Sequence, residues 1–266
     1  MGIQSVMASP IFRKARSVLV VTLVAAAATV PWGGALAGEV TVAVAANFTA
    51  PAGDLAAAFE ARTGYHVDLS FGSTGQLYTQ ITQGAPFDIL LSADSARPAK
   101  AVKEGWGVEG TQFTYAIGKL VLWSPQANLI DAQGDVLKAG TFTHLAVANP
   151  VTAPYGAAAM EVMTTLGILH DIEPKLVTGE NIAQTYQFVT SGNAELGFVA
   201  LSQVVGEAAG SRWIVPESLY TPIRQDAVLL KVGEQNTFAK AFLAYLKEPE
   251  AVTIIKKFGY GLPSDG

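Results

Sequence analysis

The stretch VTVAVAANFTAPAGDLAAAFEARTGYHVDLSFGSTG, residues 40–75, decides the architecture. Residues 40–45 are a β-branched and alanine run, the pattern of a strand buried on both faces. Thr49 reads as the N-cap of a helix with Pro51 in its first turn, where proline's missing N–H costs nothing. Leu55, Ala58, Phe59 and Arg62 keep helical spacing, and Gly64 ends the helix. Residues 67–71 are a second strand, and Gly72-Ser73-Thr74-Gly75 opens a second helix over residues 74–81. Strand, helix, strand and helix in this order predict an α/β fold with a mostly parallel sheet covered by helices.

The pattern extends in both directions. Residues 89–91 read as a third strand, with Ser95 capping a helix to about Glu104. Residues 115–123 (YAIGKLVLW) are longer than a typical strand and read as a crossing into a second lobe. A second α/β unit follows: a strand at 145–148, helices at 154–166 and 182–191, a strand at 196–201 and a helix from about Ser202. Residues 223–231 read as the return crossing, and helices at about 235–247 and 250–257 pack back on the first lobe. The expected division is residues 38–115 plus 223–266 for lobe 1 and 116–222 for lobe 2. Two crossings make a hinged cleft.

Upstream, Arg13, Lys14 and Arg16 precede an uncharged apolar run at 17–30 and a small-x-small site at Ala35-Leu36-Ala37. This is the layout of a secretory signal peptide, residues 1–37, with Gly38 the first mature residue. The apolar run is shorter than the ~20 residues of a membrane span. The 229 residues that remain carry 14 basic and 22 acidic side chains, a net charge of −8. Such a chain is a poor partner for nucleic acid. It contains no cysteine, hence neither disulfide nor cysteine-borne lipid. The reading is a free, monomeric periplasmic protein.

Four segments carry the chemistry: Ala46-Asn47-Phe48-Thr49, Gly72-Ser73-Thr74-Gly75, Ala153-Pro154-Tyr155-Gly156 and Glu180-Asn181-Ile182-Ala183. Each stands where a helix begins. Helix N-termini present unpaired N–H groups and a partial positive charge, so they hold anions. In α/β sheets ligands sit beyond the strand ends, where these segments fall. Two belong to each lobe, as a closing cleft requires. The candidate donors are the amide and N–H of Asn47, the hydroxyls and N–H groups of Ser73 and Thr74, the Tyr155 phenol and the Ile182 N–H. Taken singly each has an ordinary structural explanation, an Asx turn for Asn47 and a cap for Thr49; their joint placement carries the reading. None of the four segments contains Lys or Arg. A neutral, donor-only site suits a fully deprotonated tetrahedral dianion: sulfate, molybdate or tungstate.

On these segments, together with Gly-Ala-Pro-Phe-Asp-Ile-Leu-Leu-Ser-Ala-Asp (84–94), residues 115–124, Asn-Pro-Val-Thr-Ala-Pro-Tyr-Gly (149–156) and Glu-Leu-Gly-Phe-Val-Ala-Leu (195–201), the chain resembles the periplasmic molybdate-binding proteins of ABC importers from about Glu39 to Pro263. The resemblance implies a type II periplasmic-binding-protein fold of two lobes closing on molybdate or tungstate, an inner-membrane ABC permease as partner, no cofactor and no direct metal-cation ligands. Carried over by motif, Ala46 and Asn47 grip the anion from lobe 1, Thr74 with Ser73 adds the second hydroxyl position, Tyr155 a phenol and Ile182 an N–H. Many members have Ser at Asn47 and Thr74, and some have Tyr at Ala200; the Tyr155 phenol is the expected replacement for that Tyr. Binding another oxyanion or sensing a ligand for a membrane receptor are the alternatives. A secreted hydrolase is disfavoured. His66, His144 and His170 lie outside the four segments, there is no Gly-x-Ser-x-Gly elbow, and Asp88 and Asp94 flank a strand in the manner of structural carboxylates.

Overall fold

A computed structural model describes residues 38–263; the signal-peptide reading of residues 1–37 lies outside them. In chain order the first part comprises β1 (Glu39–Ala45), α1 (Thr49–Thr63), β2 (His66–Gly72), α2 (Thr74–Thr82), β3 (Ile89–Leu91), α3 (Ala96–Lys103) and β4 (Phe113–Gly118). The middle part comprises β5 (Leu120–Ser124), α4 (Val136–Ala139), β6 (Leu145–Ala148), α5 (Pro154–Thr165), α6 (Leu169–Ile172), β7 (Leu176–Gly179), α7 (Ile182–Thr190), β8 (Leu196–Ala200), α8 (Leu201–Val204) and β9 (Ser211–Ile214). The chain ends with β10 (Ile223–Leu229), α9 (Thr237–Tyr245) and α10 (Pro249–Lys257).

Two five-stranded sheets result, in the orders β2-β1-β3-β10-β4 and β7-β6-β8-β5-β9. In each sheet one strand runs against the other four: β10 in the first, β5 in the second. Each reversed strand is the first that its sheet receives after the chain has left the other sheet. The lobes therefore share one layout, a mixed and mostly parallel sheet flanked by helices. Val40, Val42 and Val44 of β1 pack on Leu55 and Phe59 of α1 and on Phe242 of α9. That burial draws the C-terminal helices back to the first lobe.

The structure amends four sequence expectations. The apolar run at 115–123 is two strands broken at Lys119, β4 in the first sheet and β5 in the second. The run at 223–231 is not a crossing: β10 is paired along its length with β3 and β4, and an apolar run cannot distinguish a crossing from a central strand. Thr49 does not cap α1. A 3₁₀ turn over Ala46–Phe48 precedes the helix, and Thr49 Oγ1 donates back to the Ala46 carbonyl at 2.9 Å. Ser95 makes no cap bond either; Asp94 Oδ1 accepts from the Arg97 N–H at 2.8 Å in its place. β7 and β9, four residues each, were not legible from periodicity.

Candidate functional site

The four helix starts converge. Ala46, Asn47, Ser73, Thr74, Tyr155 and Ile182 line one small pocket, together with Ala45, Gly72, Ala93, Ala153, Pro154 and Asn181. The arrangement follows from the shared layout of the lobes. In each lobe the first two parallel strands, β1 and β2 or β6 and β7, deliver the chain into a helix at the same edge of the sheet. No Asp, Glu, His, Lys or Arg is among the lining residues. The positive character of the pocket is backbone in origin.

The hydrogen bonds decide which atoms are available. At Asn47 the side-chain amide is not: Nδ2 donates to Gln225 Oε1 and to Tyr260 Oη, each at 2.9 Å. Asn47 is 3 % exposed, and what it presents is its main chain, at the start of the 3₁₀ turn. Ser73 is likewise committed. Its hydroxyl donates to Gln76 Oε1 at 2.8 Å while Gln76 N–H donates back at 3.4 Å, a capping box that starts α2. Thr74 differs. Its Oγ1 accepts the Ala93 N–H at 3.0 Å, which fixes the side chain and leaves the hydroxyl proton free to donate.

Tyr155 also departs from expectation. Its phenol oxygen accepts from Gln225 Nε2 at 3.1 Å, and it is sealed from solvent. Burial, with the neighbouring Tyr260 and Tyr115, holds its pKa well above the usual value. The Tyr155 phenol oxygen is therefore held by Gln225 inside the protein. Its backbone does better: Pro154 has no N–H, so Tyr155 supplies the first N–H of α5. At α7 the Asn181 side chain accepts from the N–H groups of Ala183 and Gln184, both at 3.0 Å. The Ile182 N–H is the first-turn donor that this cap does not use.

Sequence reasoning missed the groups behind the pocket. Gln225, Tyr115, Tyr260 and Ser202 form a buried polar network with Asn47 and Tyr155. Tyr260 Oη donates to the Asn47 carbonyl at 2.8 Å, and burial pushes its pKa up to about 12. The network joins residues as far as 213 apart in sequence, which no local motif signals. The cleft is closed in this structure. Gly75 N–H of the first lobe donates to the Thr152 carbonyl of the second at 2.9 Å, and Arg97 Nη2 donates to the Val151 carbonyl at 2.8 Å.

Groups that would serve catalysis are elsewhere. His66, His144 and His170 are exposed and line no part of the pocket. The Asp88 carboxylate accepts from the Thr41 N–H and from Asn236 Nδ2, and Asp94 from Ser92 and Arg97. Among the described residues no three His, Asp or Glu side chains gather as a metal-ion site requires, and no helix is long and apolar enough to cross a membrane.

The sequence profile of the bacterial extracellular solute-binding proteins matches residues 40–261. The chain is 58 % identical over 226 residues to the molybdate-binding protein of Rhodobacter capsulatus, covering 85 % of this chain and 89 % of that protein. It is 56 % identical over 231 residues to the molybdate-binding protein of Azotobacter vinelandii, covering 86 % and 92 %. The solved Azotobacter vinelandii periplasmic molybdate-binding protein superposes with a TM-score of 0.82 at 42 % identity, over 85 % of this chain and 100 % of that one. The sulfate-binding protein SubI of Mycobacterium tuberculosis, at 13 % identity and a TM-score of 0.72, shares the fold. The chain belongs to the bacterial extracellular solute-binding proteins, within the group of periplasmic molybdate-binding proteins.

Proposed function

We propose that this protein captures molybdate in the cleft between its lobes and delivers it to an inner-membrane ABC permease, with tungstate as a second ligand of the same shape and charge. The observation that carries the proposal is the convergence of four helix starts on one small pocket without a charged side chain. The donors assigned to the anion are the N–H groups of Ala46 and Asn47, the N–H and hydroxyl of Thr74, and the N–H groups of Tyr155 and Ile182. Ser73 serves by capping α2. Each hydrogen bond to a charged group contributes ~1.5–3 kcal/mol. Six of them, after the cost of association, are enough for the ~8 kcal/mol of a micromolar complex.

The pocket offers donors and no carboxylate acceptor, so it favours a dianion over a protonated oxyanion such as hydrogen phosphate. The protein acts as a monomer in the periplasm after loss of residues 1–37, and its lobes hinge about Lys119 and the segment before β10. A thermal-shift panel on residues 38–266 with molybdate, tungstate, sulfate, phosphate and chromate tests the reading. Selective stabilisation by molybdate and tungstate is the expected result. Stabilisation by sulfate or phosphate alone overturns the ligand, and no response to any of the five overturns the site.

A further inference from the structure

We propose that Gln225 is a positioning residue that couples the grip on the anion to closure of the lobes, a role that rests on the reading of the pocket as the anion site. Gln225 lies in β10, is 0 % exposed, and lines no part of the pocket. Its Oε1 accepts from Asn47 Nδ2 at 2.9 Å and from Tyr115 Oη at 3.1 Å, both of the first lobe. Its Nε2 donates to Tyr155 Oη of the second lobe at 3.1 Å. Asn47 and Tyr155 each present a main-chain N–H at a helix start lining the pocket. Their side chains meet behind the pocket, at Gln225. Tyr155 thus lines the pocket with its backbone and holds the opposite lobe through its side chain, while the Asn47 side chain ties the bridge to the pocket from within the first lobe.

The polarity of this bridge is directional. The carbonyl end of the amide takes two donors from lobe 1, and the amino end serves lobe 2. Gln supplies both ends at this reach; Glu lacks the donor and Asn is one methylene short. A second observation comes from Gly118, the last residue of β4 before the chain leaves for the second lobe. A Cβ there would stand 2.2 Å from Tyr155 Oη and 2.6 Å from Gln225 Nε2. The bridge occupies the space of a side chain, so Gly118 must remain without one. β10 also shifts register between Gln225 and Asp226, an irregularity that re-aims a strand residue. Opening the cleft parts the Gln225–Tyr155 bond and exposes groups that are buried when it is closed.

Two variants test this, Gln225→Met and Gly118→Ala, neither of which alters a pocket residue. The chain has no cysteine, so Lys103→Cys and Asn193→Cys give one clean label on each lobe for an interlobe distance distribution. Molybdate association and dissociation rates are measured on the same proteins. The expected result is dissociation about ten-fold faster with association within about two-fold, because a buried amide bridge acts in the closed form. The bound distance distribution broadens toward the open form in both variants. A side chain that merely supported the fold would lower the melting temperature and leave that split unchanged. Wild-type dissociation and a wild-type closed distance in both variants overturn the proposal. Should the unsubstituted protein fail to respond to molybdate, the pocket reading falls, and the ligand-free distributions decide on Gln225: a smaller closed fraction in Gln225→Met supports the bridge, an unchanged one removes it.

Discussion

The main-chain N–H of Gly75, in the first turn of α2, donates to the carbonyl of Thr152, in the loop before α5, at 2.9 Å. The two residues belong to opposite lobes, and Arg97 Nη2 reaches the neighbouring Val151 carbonyl at 2.8 Å. A Cβ on Gly75 would meet Thr152 Cα at 3.0 Å, Thr152 Cβ at 3.1 Å and Arg97 Nη2 at 3.2 Å. The lip of the cleft closes because Gly75 leaves room for backbone to approach backbone.

Gly75→Ala is therefore expected to oppose closure without harming the fold. Alanine in place of glycine favours α2 by up to ~1 kcal/mol, so the ligand-free melting temperature should hold or rise. Molybdate affinity should fall about ten-fold, equivalent to ~1.4 kcal/mol. Titration calorimetry alongside a melting curve separates the two effects. Wild-type affinity would show that the lip yields at no cost.

Thr74→Val isolates the one hydroxyl assigned to the ligand. The substitution keeps the side chain's shape and removes both the proton offered to the pocket and the acceptor of the buried Ala93 N–H. Affinity should drop by about 1.5–3 kcal/mol, and stability by about 1–3 kcal/mol for the orphaned N–H. Thr74→Ser should restore both. If Thr74→Val weakens stability alone, the hydroxyl belongs to the fold and not to the ligand.

Thr74 and Ser73 also show how far the sequence could be read. Both residues mark a helix start, and strand-then-helix alternation with small polar residues at the junction made that position legible. The use of each hydroxyl was not. The Ser73 proton goes to Gln76 three residues on, a capping box visible in Ser-x-x-Gln once the helix start is known. The role of Thr74 depends on Ala93, nineteen residues away and in contact only after β1 has paired with β3. The partners of Asn47 lie further still, at Gln225 and Tyr260. Local pattern therefore identifies which segments meet at the pocket. Which atom of each residue faces it is settled by tertiary partners that periodicity does not encode.

The buried tyrosines set the alkaline limit. Burial raises the pKa of Tyr260 to about 12 and holds Tyr155 and Tyr115 well above their usual value. A group whose folded pKa is raised binds its proton more tightly in the folded state. Its contribution is fully present below the unfolded value of ~10 and is lost as pH rises through the folded value. Molybdate affinity and stability should be flat between about pH 6 and 9 so far as these groups govern them. Stability should fall between about pH 10 and the Tyr260 value of about 12. Tyrosinate absorbance at the ultraviolet band followed with the far-ultraviolet signal checks this: part of the tyrosinate signal should appear only together with unfolding. A complete tyrosine titration in a still-folded protein contradicts it.

The sharpest test of a backbone donor is Ile182→Pro. Proline is tolerated at the first position of a helix, where its missing N–H has no intrahelical partner to lose. The preceding Asn181 is already extended, at φ −150° and ψ 175°, a conformation a following proline accepts. The cap bonds from Ala183 and Gln184 to Asn181 do not involve the Ile182 N–H. Substitution thus deletes one donor from the pocket and leaves α7 in place. The side chain itself is 3 % exposed and packs in the core of the second lobe, so Ile182→Ala is the proper reference, with the packing lost and the N–H kept. Ile182→Pro should bind molybdate about ten- to a hundred-fold more weakly than Ile182→Ala, the ~1.5–3 kcal/mol of one hydrogen bond to a charged group, with matching helicity by circular dichroism. Equal affinity in the two variants would remove the Ile182 N–H from the anion site and leave the second lobe to hold its ligand through Tyr155 alone.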